Sequence, residues 1–193
     1  MISSSQVAFK EWSVICAALA TGRQSLILRK GGIHEGREGF QVAHDRFWLF
    51  PTHYHEAAQS VTSEGLAFLP AAQSLTALPG RVRLELLAEV QQVRRIADLD
   101  DALALASFHI WSAETVRQRF HYREPGLFAL LIRVYKSFPP LDIADEAHFA
   151  GCRSWVEFGS ALPSADVRPV LSDPAFDDVA RSVADAWSSS PRS

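Results

Sequence analysis

LFALLIRVY, residues 127–135, follows Gly126 and is apolar almost without a break through Ile132. So short and continuous a run predicts a central strand covered on both faces, ending at Pro139-Pro140. Upstream, Pro79-Gly80 opens Val82 to Val93, where Val82, Leu84, Leu86, Val90 and Val93 are spaced for a long strand. A helix is the other form open to that stretch, but the Pro-Gly start and the valines favour strand. Leu87-Ala88 breaks the alternation as a bulge would. Between these strands, Ile96 to Ala106 reads as a short helix with Leu99, Leu103 and Leu105 inward, and WSAETVRQRF (residues 111–120) as another, capped near Ser112.

Toward the N-terminus, Phe9, Trp12, Ile15, Cys16 and Leu19 fall at helical spacing, which predicts a helix over Ser5 to Ala20, stopped by Gly22. Ser25 to Leu28 reads as a strand ending in Arg29-Lys30. Phe40 to Val42 and Phe47 to Phe50 read as strands paired across His44-Asp45. Residues 57–79 carry weak helical spacing, and Arg153 to Phe158 reads as a last strand. Asp173-Pro174 opens a helix with Phe176, Val179, Val183 and Trp187 on one face. Strands mixed with helices in this order predict an α+β fold. The expected organisation is a single α+β domain over 1–160, with a C-terminal extension over 161–193 whose helix, at about 173–187, packs on the domain. Gly31-Gly32 is not followed by a nucleotide-binding fingerprint, which argues against a Rossmann-type enzyme.

A chain of 193 residues, 48% hydrophobic, can bury a substantial core. No apolar stretch reaches the roughly 20 residues of a membrane span, and MISSSQVAFKEW lacks the pattern of a signal peptide. Cys16 and Cys152 lie among apolar or small residues, as reduced packed thiols do. These features predict a cytoplasmic protein that spans no membrane. The net charge of −3 comes from residues 156–193, with three arginines against six acids. Between Arg117 and Lys136, five cations (Arg117, Arg119, Arg123, Arg133, Lys136) face Glu124 alone, a surface for an anion or a nucleic-acid backbone, or an ordinary solvated face.

LILRKGGIHE (residues 26–35) and FWLFPTHYHE (residues 47–56) each run from an apolar strand into a cluster of ionisable groups, where scaffolds place functional side chains. Arg29 offers a bidentate fork for phosphate or carboxylate, Lys30 a flexible charge, and Gly31-Gly32 a backbone anion nest. Lys10 and Arg119 complete the candidate anion-binding set. If the protein is an enzyme, His34, Glu35, His55 and Glu56 are the candidate acid–base residues, with Glu11 as a further carboxylate. Trp111 and Tyr122, beside polar neighbours, are candidates for stacking bases. His53 and His55 would share a face on a strand, yet Pro51-Thr52 is as good a helix start. On a helix they diverge by about 200°. No metal site and no cofactor are therefore expected.

The segments KEWSVICAAL, LILRKGGIHE, FWLFPTHYHE, IRVYKSFPP and GCRSWVEF, spread over residues 10–158, resemble the bacterial family described as domain of unknown function 1802. That resemblance brings no activity with it. A second resemblance is to PUA-like barrels of the ASCH group. It rests on Gly22-Arg23-Gln24 leading to Leu28-Arg29, and on the order of AEVQQVRRIADLDDALAL (88–105), HIW (109–111) and LFALLIRVY. It implies a mixed PUA-like β-barrel or a strongly curved sheet with flanking helices. Arg23 stands where ASCH proteins carry Lys. The expected function is binding of RNA, DNA or a nucleotide-like small molecule in an anion-friendly pocket formed by the two strand ends. The alternatives are a small metal-independent hydrolase acting on a nucleoside-like amide, and a protein-interaction module, which an exposed apolar patch would mark.

Overall fold

The computed structural model describes residues 5–30, 35–36, 39–40, 44–53, 57–75, 79–151, 154–163 and 166–188. In chain order the elements are β1 (Ser5–Trp12), α1 (Ser13–Leu19), β2 (Leu26–Arg29), β3 (Glu35–Gly36), β4 (Gly39–Phe40), β5 (Arg46–Thr52), α2 (Ala57–Ser60), α3 (Leu69–Leu75), β6 (Arg81–Ile96), α4 (Leu99–Ala104), α5 (Ala113–His121), β7 (Leu127–Ala144), β8 (Trp155–Leu162), β9 (Val167–Pro169) and α6 (Asp173–Ser188). This is the expected α+β content.

The long apolar runs form the spine, β6 paired antiparallel with β7 from Arg81↔Ala144 to Ile96↔Leu127. Two expectations about this pair are corrected. The irregularities flank Leu87-Ala88, falling between Leu84 and Leu86 and between Val90 and Gln92. β7 also continues through Pro139-Pro140. Leu84 pairs with Leu141 and Leu86 with Lys136, so residues 137–140 stand opposite Glu85 alone. Prolines are tolerated there because a bulge requires no ladder N–H. The bulge also reverses which face each side chain takes. Val82 and Leu84 pack with Trp48, whereas Leu86 and Ala88 join the main core.

The N-terminal helix begins later than expected, because residues 5–12 are strand. β1 lies between β5, to which it is parallel, and β8, to which it is antiparallel. Val7 and Phe9 enter the main core, and Ala8 the smaller cluster around Trp48 on the opposite face. Burial on both faces removes the alternation that would mark a strand. No side-chain cap marks the start of α1 either, since Trp12 holds that position. Gly22, the expected stop, has φ +76°, and a Cβ there would lie 2.5 Å from Leu171 Cδ2. Among the described residues β5 pairs with β1 and β6 and not across His44-Asp45, while β4 pairs with β3; residues 41–43, which include the rest of the expected strand, lie outside the described residues.

The strand order is β2-β7-β6-β5-β1-β8, with β9 alongside β7. Four steps separate β2 from β1, about 19 Å in a flat sheet at roughly 4.8 Å per strand. Yet Arg29 at the end of β2 donates to the Lys10 carbonyl of β1 at 3.3 Å and to Ser154 Oγ, beside β8, at 3.0 Å. The sheet therefore curls until its two ends meet. No backbone ladder joins them among the described residues, so the outcome is the strongly curved open sheet, not a closed barrel. α6 lays Phe176, Val183 and Trp187 on the main core. Arg133 pairs with Asp173 at its start, and Arg94 donates to the Trp187 carbonyl near its end, where a cation suits the helix dipole.

Candidate functional site

At the seam between the sheet ends, Glu11 touches one described residue from each of the two segments, Arg29 and Thr52. This carboxylate is 1% exposed. Its Oε1 accepts the Trp12 N–H at 2.8 Å and its Oε2 lies 3.6 Å from Arg29 Nη1. From the other cluster, the Thr52 hydroxyl donates to the Glu11 carbonyl at 3.1 Å. Arg29 also stacks 4.5 Å above the Phe9 ring. A buried carboxylate requires such a partner, because an unpaired charge in the interior is strongly unfavourable.

The other expected cations each hold backbone carbonyls. The Lys10 ammonium donates to the carbonyls of Phe149 and, at 2.9 Å, Gly151. Lys30 donates to the carbonyls of Phe120, Glu124 and Gly126, fastening the end of β2 to the C-terminal turn of α5. Burial lowers its pKa from the ordinary lysine value, Glu124 opposing the shift and Arg95 adding to it. Arg119 reaches the Leu28 carbonyl at 3.3 Å and lies over two indoles, 4.5 Å from the Trp12 centroid and 4.1 Å from that of Trp111. The indoles meet edge to face at 4.6 Å. Lys10, Arg29, Lys30 and Arg119 are all only partly exposed, in contact with carbonyls that lie far away in sequence.

Of the stacking candidates, Tyr122 is 58% exposed. Trp111 is corrected: it is 2% exposed, packed against Arg119 and Trp12. Gly31, Gly32, His34, His55 and Glu56 lie outside the described residues, and Glu35 is described only as part of β3. The expected acid–base set therefore has no described geometry. Two depressions, one lined by Leu19, Gln24 and Phe176 and the other by Cys16, Pro51 and Glu85, hold about 10 Å³ each, room for one water.

Sequence reasoning missed Thr52 and Ser154 as seam contacts, and Arg95 as a neighbour of Lys30. The adjacent Arg94 and Arg95 at the end of a predicted strand were the available signal. Behind the seam, Cys16 is buried. Burial raises its thiol pKa well above the ordinary value and Glu11 adds to the shift, which keeps it protonated and unreactive near neutral pH. His109 is also buried. Its Nδ1 accepts the Trp111 N–H at 3.1 Å, so its proton sits on Nε2, which has no partner among the described residues. Burial lowers its pKa to about 4, helped by Arg23 and Arg119.

No helix among the described residues is long and apolar enough to cross a membrane. The most exposed large apolar side chains, Leu66, Tyr122 and Phe138, stand on three separate segments. The model of a protein family described as "Domain of unknown function (DUF1802)" matches residues 8–182. No curated protein matches the chain. Among solved structures, the crystal structure of ASCH from Zymomonas mobilis is similar with 12% identity and a TM-score of 0.47, covering 91% of this chain and 93% of that one. A serine-to-alanine mutant of that protein gives 11% identity, a TM-score of 0.45 and coverage of 93% and 98%. A tyrosine-to-phenylalanine mutant gives 14%, 0.44 and coverage of 91% and 96%. Likenesses at this level say nothing about a ligand.

Proposed function

The chain belongs to the family of the domain of unknown function DUF1802, and from its geometry we propose that it binds a nucleic acid or a nucleotide-like anion at the strand-end seam. One observation carries the reading: Arg29, Lys30 and Arg119 cluster at the end of β2, where Arg29 also meets the buried Glu11, and Lys10 follows on the neighbouring strand end. Such a cluster creates a positive local field on a chain whose net charge is −3. The arginines are held in place by backbone carbonyls and aromatic faces, and a guanidinium fixed in that way is pre-organised for phosphate. The segments that leave β2 and β5 begin at this rim, so Gly31, Gly32, His34, Glu35, His55 and Glu56 remain the proposed sources of polar recognition.

Fluorescence anisotropy with labelled single-stranded RNA and DNA tests the reading. Three phosphate contacts would weaken binding by roughly 20-fold between 50 and 200 mM salt, from a slope of about −0.7 per phosphate. Arg119→Gln should weaken binding and flatten that slope. Affinity that does not respond to salt rules the proposal out.

A further inference from the structure

Several surface arginines of the protein lie against carboxylates, Arg23 on Glu64, Arg46 on Glu89 and Arg83 on Asp142 among them. The C-terminal end of α5 is different. Arg123 is exposed there, and so is Arg95, whose Nη2 would lie 3.8 Å from a Cβ built on Gly126; Arg117, in the middle of the helix, is exposed as well. Among the described residues none of the three has an ion-pair partner. Glu124 is the acid of this segment, and Lys30 balances it.

Tyr122 is 58% exposed, with the Arg123 guanidinium 5.2 Å from its ring centroid. Arg123 has φ +64°, the left-handed conformation that glycine or asparagine usually supplies just beyond a helix. Arginine is a poor choice for that backbone and a good one for presenting a charge beside an aromatic face. Strain of this kind gathers where a side chain serves a ligand.

We propose that this tip binds a single-stranded nucleic acid, with a base stacked on Tyr122 and the adjoining phosphates on Arg123, Arg95 and Arg117. A duplex keeps its bases stacked on one another, so an exposed aromatic ring among cations favours an unpaired strand. The inference rests on the anion-binding reading of the seam and extends it. Arg119 at the seam and Arg123 at the tip are four residues apart, at most about 14 Å of chain even if fully extended, so one short strand reaches both.

The test compares a labelled 12-nucleotide single strand with the 12-base-pair duplex of the same sequence, using the full chain at 50 and 200 mM salt. The unmodified protein should prefer the single strand. Tyr122→Leu should remove that preference. Arg123→Gly relieves the backbone, so its thermal midpoint should hold or rise while affinity for the single strand falls about tenfold and the salt slope drops by about 0.7. Binding untouched by both substitutions overturns the tip and leaves the seam standing. Equal binding of duplex and single strand overturns the tip in favour of a general polyanion surface. A lack of binding by the unmodified protein overturns both readings.

Discussion

Lowering the pH from 7 to 5 is expected to destabilise the fold through His109. In the native state burial, Arg23 and Arg119 hold this imidazole at about 4, against an ordinary value of 6.5. The unfolded chain therefore takes up the proton first. The stabilisation is complete above about pH 6.5 and is lost as the pH falls toward 4. Between pH 7 and pH 5 the loss comes to about 2 kcal/mol, rising to about 3 kcal/mol below pH 4. With a urea dependence of about 2 kcal/mol/M, the unfolding midpoint moves by about 1 M, which tryptophan fluorescence reads directly. Glu64 and Asp142, held below their ordinary values by hydrogen bonds from Arg23 and Arg83, lose their contribution only below about pH 4.5. The chosen window therefore avoids them. His109→Asn keeps an oxygen where Nδ1 accepts the Trp111 N–H and removes the titration. That variant should be weaker at pH 7 but nearly flat from 7 to 5. A midpoint shift of about 1 M surviving in the Asn variant refutes the assignment.

Arg29→Met leaves the Glu11 carboxylate buried without its cation and should cost about 3–5 kcal/mol in urea unfolding. The double variant with Glu11→Gln should recover a large part of that, and no recovery means the pair is not the source. Gly22→Ala must place a Cβ in left-handed backbone against Leu171, a loss of about 1–3 kcal/mol checked by the thermal midpoint. The Cys16 thiol should resist a thiol reagent at pH 8 in the native protein and react once urea unfolds it. Fast native-state labelling of Cys16 contradicts its burial.

Strands with long apolar runs were legible in the sequence, and β6 and β7 emerged close to where their residues predict. β1 was not, because burial on both faces gave Val7, Ala8 and Phe9 no alternation, and Phe9 and Trp12 happened to fall in phase with the real helix that follows. Pro139-Pro140 looked terminal because a bulge opposite Glu85 cannot be seen from one strand alone. At the site, Arg29 and Lys30 were visible as cations at a strand end. Their acceptors were not, since backbone carbonyls at Lys10, Phe120 and Gly126 carry no side-chain signature. Trp111 looked exposed from its polar neighbours, but Arg119 and Trp12 cover it.

The meeting of the sheet ends through side chains has one more consequence. Among the described residues β2 pairs only with β7 and β8 only with β1, so each keeps a row of peptide groups with no partner strand. Such rows are templates on which another chain can add itself. By drawing the two edges together, Arg29 denies each of them to a stranger. Its loss should therefore show at high protein concentration as self-association, in addition to the destabilisation of the dilute protein.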